Sequence, residues 1–299
     1  MTEENIKRGI INDFFDKHYK ILLIIPILIF ILSLIYLYSF YAKTGDIMIK
    51  DVTLTGGASI TVYTDKTIEI KEIEDALIPK YKDISTRILT DLSTGEQIAF
   101  SVESNADIDE LKSSIEDFLG YSLNEKNSSM EFTGSSLSES FYRELRIAML
   151  LAFVMISIVV FIIFRSPIPC IAVIFAAFSD IVITLALVDL AGIRVSTAGI
   201  AAFLMLIGYS IDTDMLLTTR VLRRKDESLI DRMVGSMKTG LVMTGTSIVA
   251  VLVGYFIAVS PVLKQVFLII TIGLFVDMIT TWFGNTSMLK WYCDKKGLK

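Results

Sequence analysis

Six apolar runs, each long enough to cross a membrane as a helix, dominate the hydrophobicity pattern of the chain. A hydrocarbon core about 30 Å thick needs about 20 mostly apolar residues in helical conformation. Runs of this length cover residues 21 to 41, 147 to 164, 168 to 190, 196 to 218, 239 to 259 and 262 to 285. The first run is too long for the apolar part of a signal peptide, and no small-x-small cleavage site follows it. The pattern predicts a polytopic α-helical membrane protein with six transmembrane helices, the first of them an uncleaved anchor.

A different pattern fills the region between the first and second runs. Alternating and β-branched stretches predict strands there, and apolar residues three and four apart predict helices. The predicted strands cover residues 47 to 54, 58 to 64, 83 to 91, 96 to 103 and 127 to 133, and the predicted helices cover 67 to 78 and 107 to 119. The order strand, helix, strand, strand, helix, strand is that of a ferredoxin-like α+β domain built on a split βαβ unit.

Glycines and turn residues mark two special positions in this domain. Gly56 and Gly57 interrupt the first extended region, where the backbone must turn or be approached closely. The sequence STG at residues 93 to 95 predicts a hairpin turn between the two middle strands. No nucleophile with a neighbouring base, glycine-rich phosphate loop or metal-ligand spacing occurs in the domain, so we expect it to bind or move rather than catalyse.

Composition and charge separate two environments along the chain. The chain is 53% hydrophobic and 20% charged, and residues 44 to 143 hold 19 Asp and Glu against 9 Lys and Arg. This balance excludes a free cytosolic enzyme and a simple nucleic-acid binder. The predicted organisation is an interfacial N-terminal segment (1 to 20), a first transmembrane helix (21 to 41), an α+β domain (44 to 145), transmembrane helices two to six (147 to 285) and a tail (286 to 299).

Basic residues at the ends of the apolar runs predict the orientation in the membrane. They cluster before the first run, between the fourth and fifth, where Arg220 and Lys238 lie, and after the sixth. Six spans place all three clusters on one side, which the positive-inside rule assigns to the cytoplasm. We therefore expect a multi-pass protein of the plasma membrane with both termini cytoplasmic and the domain of residues 44 to 145 external.

Four acidic residues lie within the predicted spans: Asp180 in the third, Asp212 and Asp214 in the fourth, and Asp277 in the sixth. Each would cost about 2.5 to 3.5 kcal/mol at the centre of a lipid-facing helix, so we expect them to face the bundle interior. Such acids often mark proton or ion paths, and the alternative is a purely structural hydrogen-bonding role. Asp212 and Asp214 are about 200° apart around a helix, so they cannot both face one site.

Small residues indicate which helix faces pack closely. Asp212 shares a face of span four with Gly208 and lies beside Tyr209 and Ser210, and the facing stripe of span five includes Thr244 and Ser247. Small residues let helices approach, and hydroxyl groups hydrogen-bond across the contact. The pattern predicts Asp212 as the principal proton-relay or gating residue, together with Asp180 and Asp277, and with Asp214 as a further candidate nearer the inner interface.

No cofactor or metal is predicted. Cys170 and Cys293 are the only cysteines and both lie outside the acidic region of residues 44 to 143, and His18 is the only histidine. The chain therefore offers neither a disulfide framework nor a metal-ligand spacing.

The fourth span and its exit, LIGYSIDTDMLLTTRVLRR, carry a family resemblance. With the TGG after the first span, the TGSSLSESF before the second and the Asp in the third, the chain resembles the archaeal SecF subunits of SecD-SecF protein-export complexes, which belong to the resistance-nodulation-division superfamily. Bacterial members have Asn-Asp where this chain has Asp212-Thr213, and SecD subunits place their Asp at the position of Asp212.

The resemblance implies an accessory role in the protein-export translocase, with no ATP hydrolysis and no enzymatic activity. The expected partners are a SecD-like six-span membrane subunit, the translocation channel, the exported polypeptide and the lipid bilayer, and no nucleic acid. The family further implies that the external domain captures and releases the polypeptide, driven by the proton gradient through membrane acids.

Three alternatives stay open at this point. A small-molecule or lipid exporter of the same superfamily normally carries twelve spans and two large external loops, twice the content of this chain. An intramembrane aspartyl protease would use Asp180 and Asp212 as a dyad sharing a proton, although its Gly-x-Gly-Asp and Pro-Ala-Leu motifs are missing. A scaffold without a transport cycle would tolerate Asn at both Asp212 and Asp277.

Overall fold

The fold was analysed in a computed structural model, which describes residues 3 to 64, 66 to 81, 84 to 90, 95 to 223, 227 to 258 and 260 to 297, with side chains from residue 17 onward except at 135, 136 and 261. In chain order the elements are α1 Glu3–Thr44, α2 Val52–Thr55, β1 Gly57–Tyr63, α3 Ile70–Leu77, β2 Ile84–Thr90, β3 Gln97–Ser104, α4 Ile108–Leu119, β4 Ser128–Thr133, α5 Ser135–Phe164, α6 Pro167–Leu190, α7 Thr197–Arg223, α8 Leu229–Ile257, α9 Pro261–Ile279, a π-helical segment Thr280–Asn285 and α10 Thr286–Lys296.

These elements form two compact units. The helical unit comprises Met1–Ile49, Ala148–Ile193 and Ala198–Lys299, and the sheet unit comprises Lys50–Ile147 together with the short segment Arg194–Thr197. Six helices are long and apolar enough to cross a membrane, by length and composition. The predicted fold class, six transmembrane helices with one ferredoxin-like α+β domain, is confirmed.

The sheet unit has the predicted ferredoxin-like order of elements. Its four strands are all antiparallel and lie in the order β2-β3-β1-β4. Because strand side chains alternate between the two faces, Ile60, Val62 and Phe100 point to one side and pack against the two helices of the unit. Ile73 of α3 and Leu111 of α4 are fully buried in this core.

The first predicted strand, residues 47 to 54, is wrong. Residues 52 to 55 form the short helix α2, because the Asp51 carboxylate accepts a hydrogen bond from the Thr53 N–H (3.0 Å) and caps it. Gly57 begins β1 at φ 134°, where a Cβ atom would overlap the Ser104 carbonyl, so the predicted close backbone approach is present there. Residues 93 and 94 of the predicted STG turn lie outside the described residues.

Two helices of the helical unit extend beyond the predicted spans. Helix α1 runs unbroken from the predicted interfacial segment through the first span. The sixth span continues through the π-helical segment into α10, so residues 286 to 296 are helical. Leu289, Tyr292 and Cys293 are buried in a core cluster there, because their helical spacing gives α10 one apolar face.

Candidate functional site

Three carboxyl groups meet inside the helical unit. Asp180 lies on α6, Asp214 on α7 and Asp277 on α9, and each is fully buried. The carboxyl groups of Asp180 and Asp277 are direct neighbours, and both interact electrostatically with Asp214. We call these three residues the acid cluster.

Neutral hydroxyl and amide groups hold the acid cluster. The Asp180 carboxyl accepts hydrogen bonds from the hydroxyls of Ser210 and Thr280. The Asp214 Oδ1 accepts from the Asn285 amide at 2.6 Å. Ser210 lies on α7, and Thr280 and Asn285 lie in the π-helical segment. Two elements therefore supply the donors.

The Thr281 hydroxyl joins two of the acids. Its Oγ1 lies 3.0 Å from Oδ1 of Asp214 and 3.0 Å from Oδ1 of Asp277. A hydroxyl group carries a single proton, so Thr281 can donate to only one of them at a time. The second contact becomes a hydrogen bond when the other carboxyl is protonated and donates to the Thr281 oxygen. The geometry therefore fits a proton that the two carboxyls exchange through Thr281.

No described basic residue supplies a permanent counter-charge to the acid cluster. Among the described residues, no ion pair involves any of the three carboxyls. Within the described part of the chain, the second oxygens of Asp214 and Asp277 and the Asn285 amide oxygen are buried without a hydrogen-bond partner. A buried charge without a paired cation is costly. Neutral donors thus suit carboxyl groups that gain and lose protons better than groups that stay ionised.

A local change of helix type brings the donors to the acids. The segment Thr280–Asn285 is a π-helix, in which the Thr286 N–H bonds to the Thr281 carbonyl five residues back. Single π-helical turns often occur at functional sites, because the wider turn re-aims side chains. Here both Thr281 and Asn285 reach Asp214, while Thr280 reaches Asp180.

Glycines allow the helices that carry the cluster to approach closely. A Cβ atom at Gly240 of α8 would overlap the Trp282 ring, and one at Gly273 of α9 would overlap the Leu206 side chain. A Cβ at Gly284 would lie 3.2 Å from the Pro26 ring of α1. These glycines of α8, α9 and the π-helical segment thus lie at helix contacts.

The predicted position of Asp212 is wrong. Asp212 is exposed on α7, on an outer face with Gly208 and with Tyr209, which is 43% exposed. The buried face of this helix instead carries the larger apolar residues Phe203, Leu206 and Leu217, and Ser210 and Asp214 lie on that face. The prediction failed because a small-residue stripe favours close helix packing without saying whether the neighbouring helix belongs to the same chain.

The other predicted site residues are distributed around the unit. Ser210 belongs to the cluster, whereas Thr244 is buried and Ser247 half-buried on α8. Arg220 joins α7 to α8, since its guanidinium donates to the Gly235 carbonyl (3.1 Å) and the Thr239 hydroxyl (3.0 Å). Lys238 is exposed. Gly56 and Gly57 lie in the sheet unit.

Sequence reasoning missed Thr280 and Asn285 as cluster residues. The available signal was the polar run TTWFGNTS at residues 280 to 287, which is unusual inside an apolar span.

The protease alternative loses its proposed dyad, because Asp180 is buried whereas Asp212 is exposed on the outer face of α7. Among the described residues no group of three or more His, Cys, Asp or Glu could hold a metal ion, and both cysteines are free and buried.

Comparisons with known proteins agree with the layout of the fold. Residues 114–295 match the family "Protein export membrane protein SecD/SecF, C-terminal". The chain is 37% identical to the protein-export membrane protein SecF of Methanocaldococcus jannaschii over 284 residues, which cover 92% of this chain and 96% of that protein. It is 35% identical to the SecF of Methanothermobacter thermautotrophicus over 296 residues, covering 97% and 98%.

A solved structure shares the fold. The crystal structure of SecDF, a translocon-associated membrane protein from Thermus thermophilus, matches with a TM-score of 0.74 at 19% identity and covers 94% of this chain. The match spans 38% of the length of that SecDF chain. With its six apolar helices the chain is a multi-pass membrane protein, and it belongs to the SecF family of protein-export membrane proteins, in its archaeal form.

Proposed function

We propose that the chain is an accessory subunit of the protein-export translocase, assisting movement and release of secreted polypeptide and coupled to the proton gradient through the acid cluster. Family membership supports the export role. The observation that carries the coupling is the single Thr281 hydroxyl in contact with both Asp214 and Asp277. We propose no enzymatic activity and no cofactor.

In this proposal the proton passes between groups that the structure brings together. Asp180 and Asp277 are neighbours, and Thr281 connects Asp277 to Asp214. Membrane acids arranged in this way are typical of proton relays. Ser210, Thr280 and Asn285 orient the carboxyl groups, and the relay role predicted for Asp212 passes to Asp214.

The proposed partners are a SecD-like six-span membrane subunit, the translocation channel and the exported polypeptide. An exposed Asp212 within a membrane span is costly against lipid, and a second subunit packed on the face of Gly208 and Asp212 would remove that cost. The SecDF chain that matches by structure is longer and contains a region that this chain does not cover. We propose cytoplasmic termini and an external sheet unit, on the basis of the basic residues at the inner helix ends.

A small-molecule or lipid exporter subunit is the weaker candidate. Its support is the superfamily resemblance alone. Exporters of this kind normally carry twelve spans and two large external loops, whereas this chain has six helices long and apolar enough to span a membrane and one sheet unit.

The test compares two acids that lie two residues apart on α7. Vesicles would contain this chain, its SecD-like subunit and the translocation channel, and proton uptake and protease-protected precursor would be measured with and without a proton gradient. We expect Asp214→Asn to lower both proton uptake and the gradient-dependent part of export about tenfold or more, because Asn cannot pass a proton.

Asp212→Asn is the matched control, because it makes the same chemical change on the exposed face of the same helix. It should leave proton uptake within about twofold of wild type. Full gradient-dependent export with Asp214→Asn would contradict the proposal. If Asp212→Asn alone abolished proton uptake, the relay role would return to Asp212.

A further inference from the structure

Each acid of the acid cluster is followed, four residues later, by a threonine. Four residues make about one helical turn, so the acid and the threonine share one face of their helix. All three threonines are fully buried. The pairs are Asp180 and Thr184 on α6, Asp214 and Thr218 on α7, and Asp277 on α9 with Thr281 in the π-helical segment.

The pair of Asp277 and Thr281 shows what this spacing permits. The Thr281 Oγ1 lies 3.0 Å from the Asp277 Oδ1, so a hydroxyl four residues after an acid reaches its carboxyl. Thr184 and Thr218 stand at the same spacing, and among the described residues neither hydroxyl has a hydrogen-bond partner. The same contact is therefore within reach of both by rotation of the side chain.

These two hydroxyls differ from other buried hydroxyls of the helical unit. A serine or threonine inside a helix commonly donates to the carbonyl four residues back. Ser236 of α8 does so at 2.7 Å and Thr271 of α9 at 2.8 Å. Thr184 and Thr218 are fully buried and do not form this bond in the described part of the chain, so stabilisation of their own helix does not account for them.

Thr184 and Thr218 lie on opposite sides of the acid cluster. Helices α6 and α7 are joined by six residues, 191 to 196, and Ser210 of α7 donates to Asp180 of α6. Six residues cannot cross back over the length of a helix, so the two helices run in opposite directions. One turn beyond the acid therefore leads towards the connecting residues on α6 and away from them on α7.

The two threonines also lie nearer to the helix ends than the acids do. Thr184 lies six residues before Leu190, the last residue of α6, and Thr218 lies five residues before Arg223, the last residue of α7. At a rise of about 1.5 Å per residue these separations are about 9 and about 8 Å, compared with about 15 and about 14 Å for the acids of the same helices. Each hydroxyl thus lies between the acid cluster and one end of the helices.

We propose that the hydroxyls of Thr184 and Thr218 carry protons into and out of the acid cluster, one on each side. The inference rests on the proposed function and adds to it the residues through which protons reach and leave the acids. A hydroxyl suits this role because its oxygen accepts one hydrogen bond while its proton is donated in another.

Each transfer leaves the threonine unchanged. On the entry side, a hydronium ion gives a proton to the threonine oxygen and becomes water, and the hydroxyl's own proton passes to the carboxylate one turn away. On the exit side, a protonated carboxyl gives its proton to the threonine oxygen, and the hydroxyl's own proton passes to water and forms a hydronium ion. At the threonine one O–H bond forms and one breaks.

Valine in place of threonine keeps the side-chain shape and removes the hydroxyl. In vesicles that contain the chain, its SecD-like subunit and the channel, we expect Thr184→Val and Thr218→Val each to lower proton uptake about fivefold, the effect of losing one typical hydrogen bond. Thr184→Ser and Thr218→Ser keep the hydroxyl and should take up protons within about twofold of the wild-type rate.

Thr271→Val is the matched control. It removes a buried hydroxyl of α9 whose hydrogen bond goes to the Phe267 carbonyl of the same helix. Proton uptake should stay within about twofold of wild type in this variant. Wild-type proton uptake by both Thr184→Val and Thr218→Val would overturn the inference.

The unfolding temperature separates proton transfer from a structural role. Removing a buried hydroxyl that has no protein partner should leave the unfolding temperature within about 3 °C of wild type or raise it. Thr271→Val breaks a formed hydrogen bond and should lower it more than Thr184→Val or Thr218→Val. If uptake and unfolding temperature fell together in the latter two variants, their hydroxyls would be structural and the inference would be wrong.

Infrared spectroscopy of the purified full chain tests the same two hydroxyls without transport. At a pH low enough to show the C=O band of the protonated acid cluster, transfer into deuterated water shifts that band as the protons exchange. The double variant with Thr184→Val and Thr218→Val should slow the shift about fivefold or more, and Thr271→Val should not. An unchanged exchange rate in the double variant would overturn the inference. A wild-type complex that takes up no protons would contradict the proposed function alone, because the exchange rate still decides the role of the two hydroxyls.

Discussion

Buried carboxyl groups occur in both units of the protein, but the side chains that contact them differ. In the helical unit, the partners that the described residues offer to the acid cluster are hydroxyl and amide groups and the neighbouring acids. In the sheet unit Asp51 and Glu103, 7% and 6% exposed, both face the Arg87 guanidinium. Arg194 acts on Glu103 from the loop segment of the same unit.

The difference indicates what each set of carboxyls can do. An arginine beside a carboxyl favours the ionised form of that carboxyl and opposes the effect of burial, so the pair suits a fixed structural contact. A carboxyl among hydroxyls can be hydrogen-bonded in either protonation state, because a hydroxyl both donates and accepts. The acid cluster can therefore change its number of protons without leaving a cation unpaired, whereas the sheet-unit pair cannot.

The largest effect is expected from an apolar residue in the acid cluster. Asp214→Leu leaves the Asn285 amide buried without its acceptor, which costs roughly 2 kcal/mol of unfolding free energy. Asp214→Asn keeps an acceptor oxygen and should cost less than about 1 kcal/mol. Thermal unfolding of the purified variants in detergent measures both. Equal destabilisation by the two variants would mean that the ionised carboxylate itself stabilises the helical unit. The contrast with the arginine-paired carboxyls of the sheet unit would then be wrong.

A smaller effect is expected from removing the cation of the sheet unit. Arg87→Met keeps most of the side-chain volume but leaves Asp51 and Glu103 buried near each other without their guanidinium. Because the Arg87 side chain is 33% exposed and the contacts are 3.7 and 4.0 Å long, we expect a loss of about 1 kcal/mol at pH 7. The loss should shrink on acidification, as the Glu103 carboxyl, whose pKa is raised by burial, becomes neutral. A loss that does not depend on pH would assign the role of Arg87 to packing.

Most of the fold could be predicted from the sequence, because it rests on strong periodic signals. Membrane spans need long apolar runs, and four strands and two helices of the sheet unit follow alternation and helical spacing. The stretch 47 to 54 was mispredicted because a single N-cap, Asp51, outweighs the β-branched residues that follow it. The helical continuation through residues 286 to 296 was missed because most residues of α10 are polar, and its few apolar residues do not form a long apolar run.

The candidate site was less predictable than the fold. The four membrane acids stood out in the sequence, and Asp180 and Asp277 lie inside as expected. The choice between Asp212 and Asp214 depends on the rotation of α7, which is set by where Phe203, Leu206 and Leu217 pack and not by the glycine stripe. The donors Thr280 and Asn285 depend on a π-helical turn, and no sequence signal distinguishes such a turn from an ordinary helix.

The smallest expected effect concerns Glu103, the buried carboxyl of β3 in the sheet unit. Burial, and then the negative charge of Asp51, raise the pKa of Glu103 above its ordinary value of 4.5, while Arg87 and Arg194 oppose this and Glu131 adds to it. The folded protein therefore binds this proton more tightly than the unfolded chain, and stability rises as the pH falls through the raised pKa towards 4.5. Above that window the ionised form lowers stability.

Glu103→Gln imitates the protonated form and should raise the unfolding temperature slightly at pH 7. The gain should vanish near pH 4.5, where wild-type Glu103 is itself protonated. Glu131→Gln, at an exposed position on β4, is the control and should shift the unfolding temperature less. In the Arg87→Met background the gain from Glu103→Gln should be larger, because the cation that partly supports the carboxylate is gone. A lower unfolding temperature for Glu103→Gln at pH 7 would show that the arginines outweigh burial at this site.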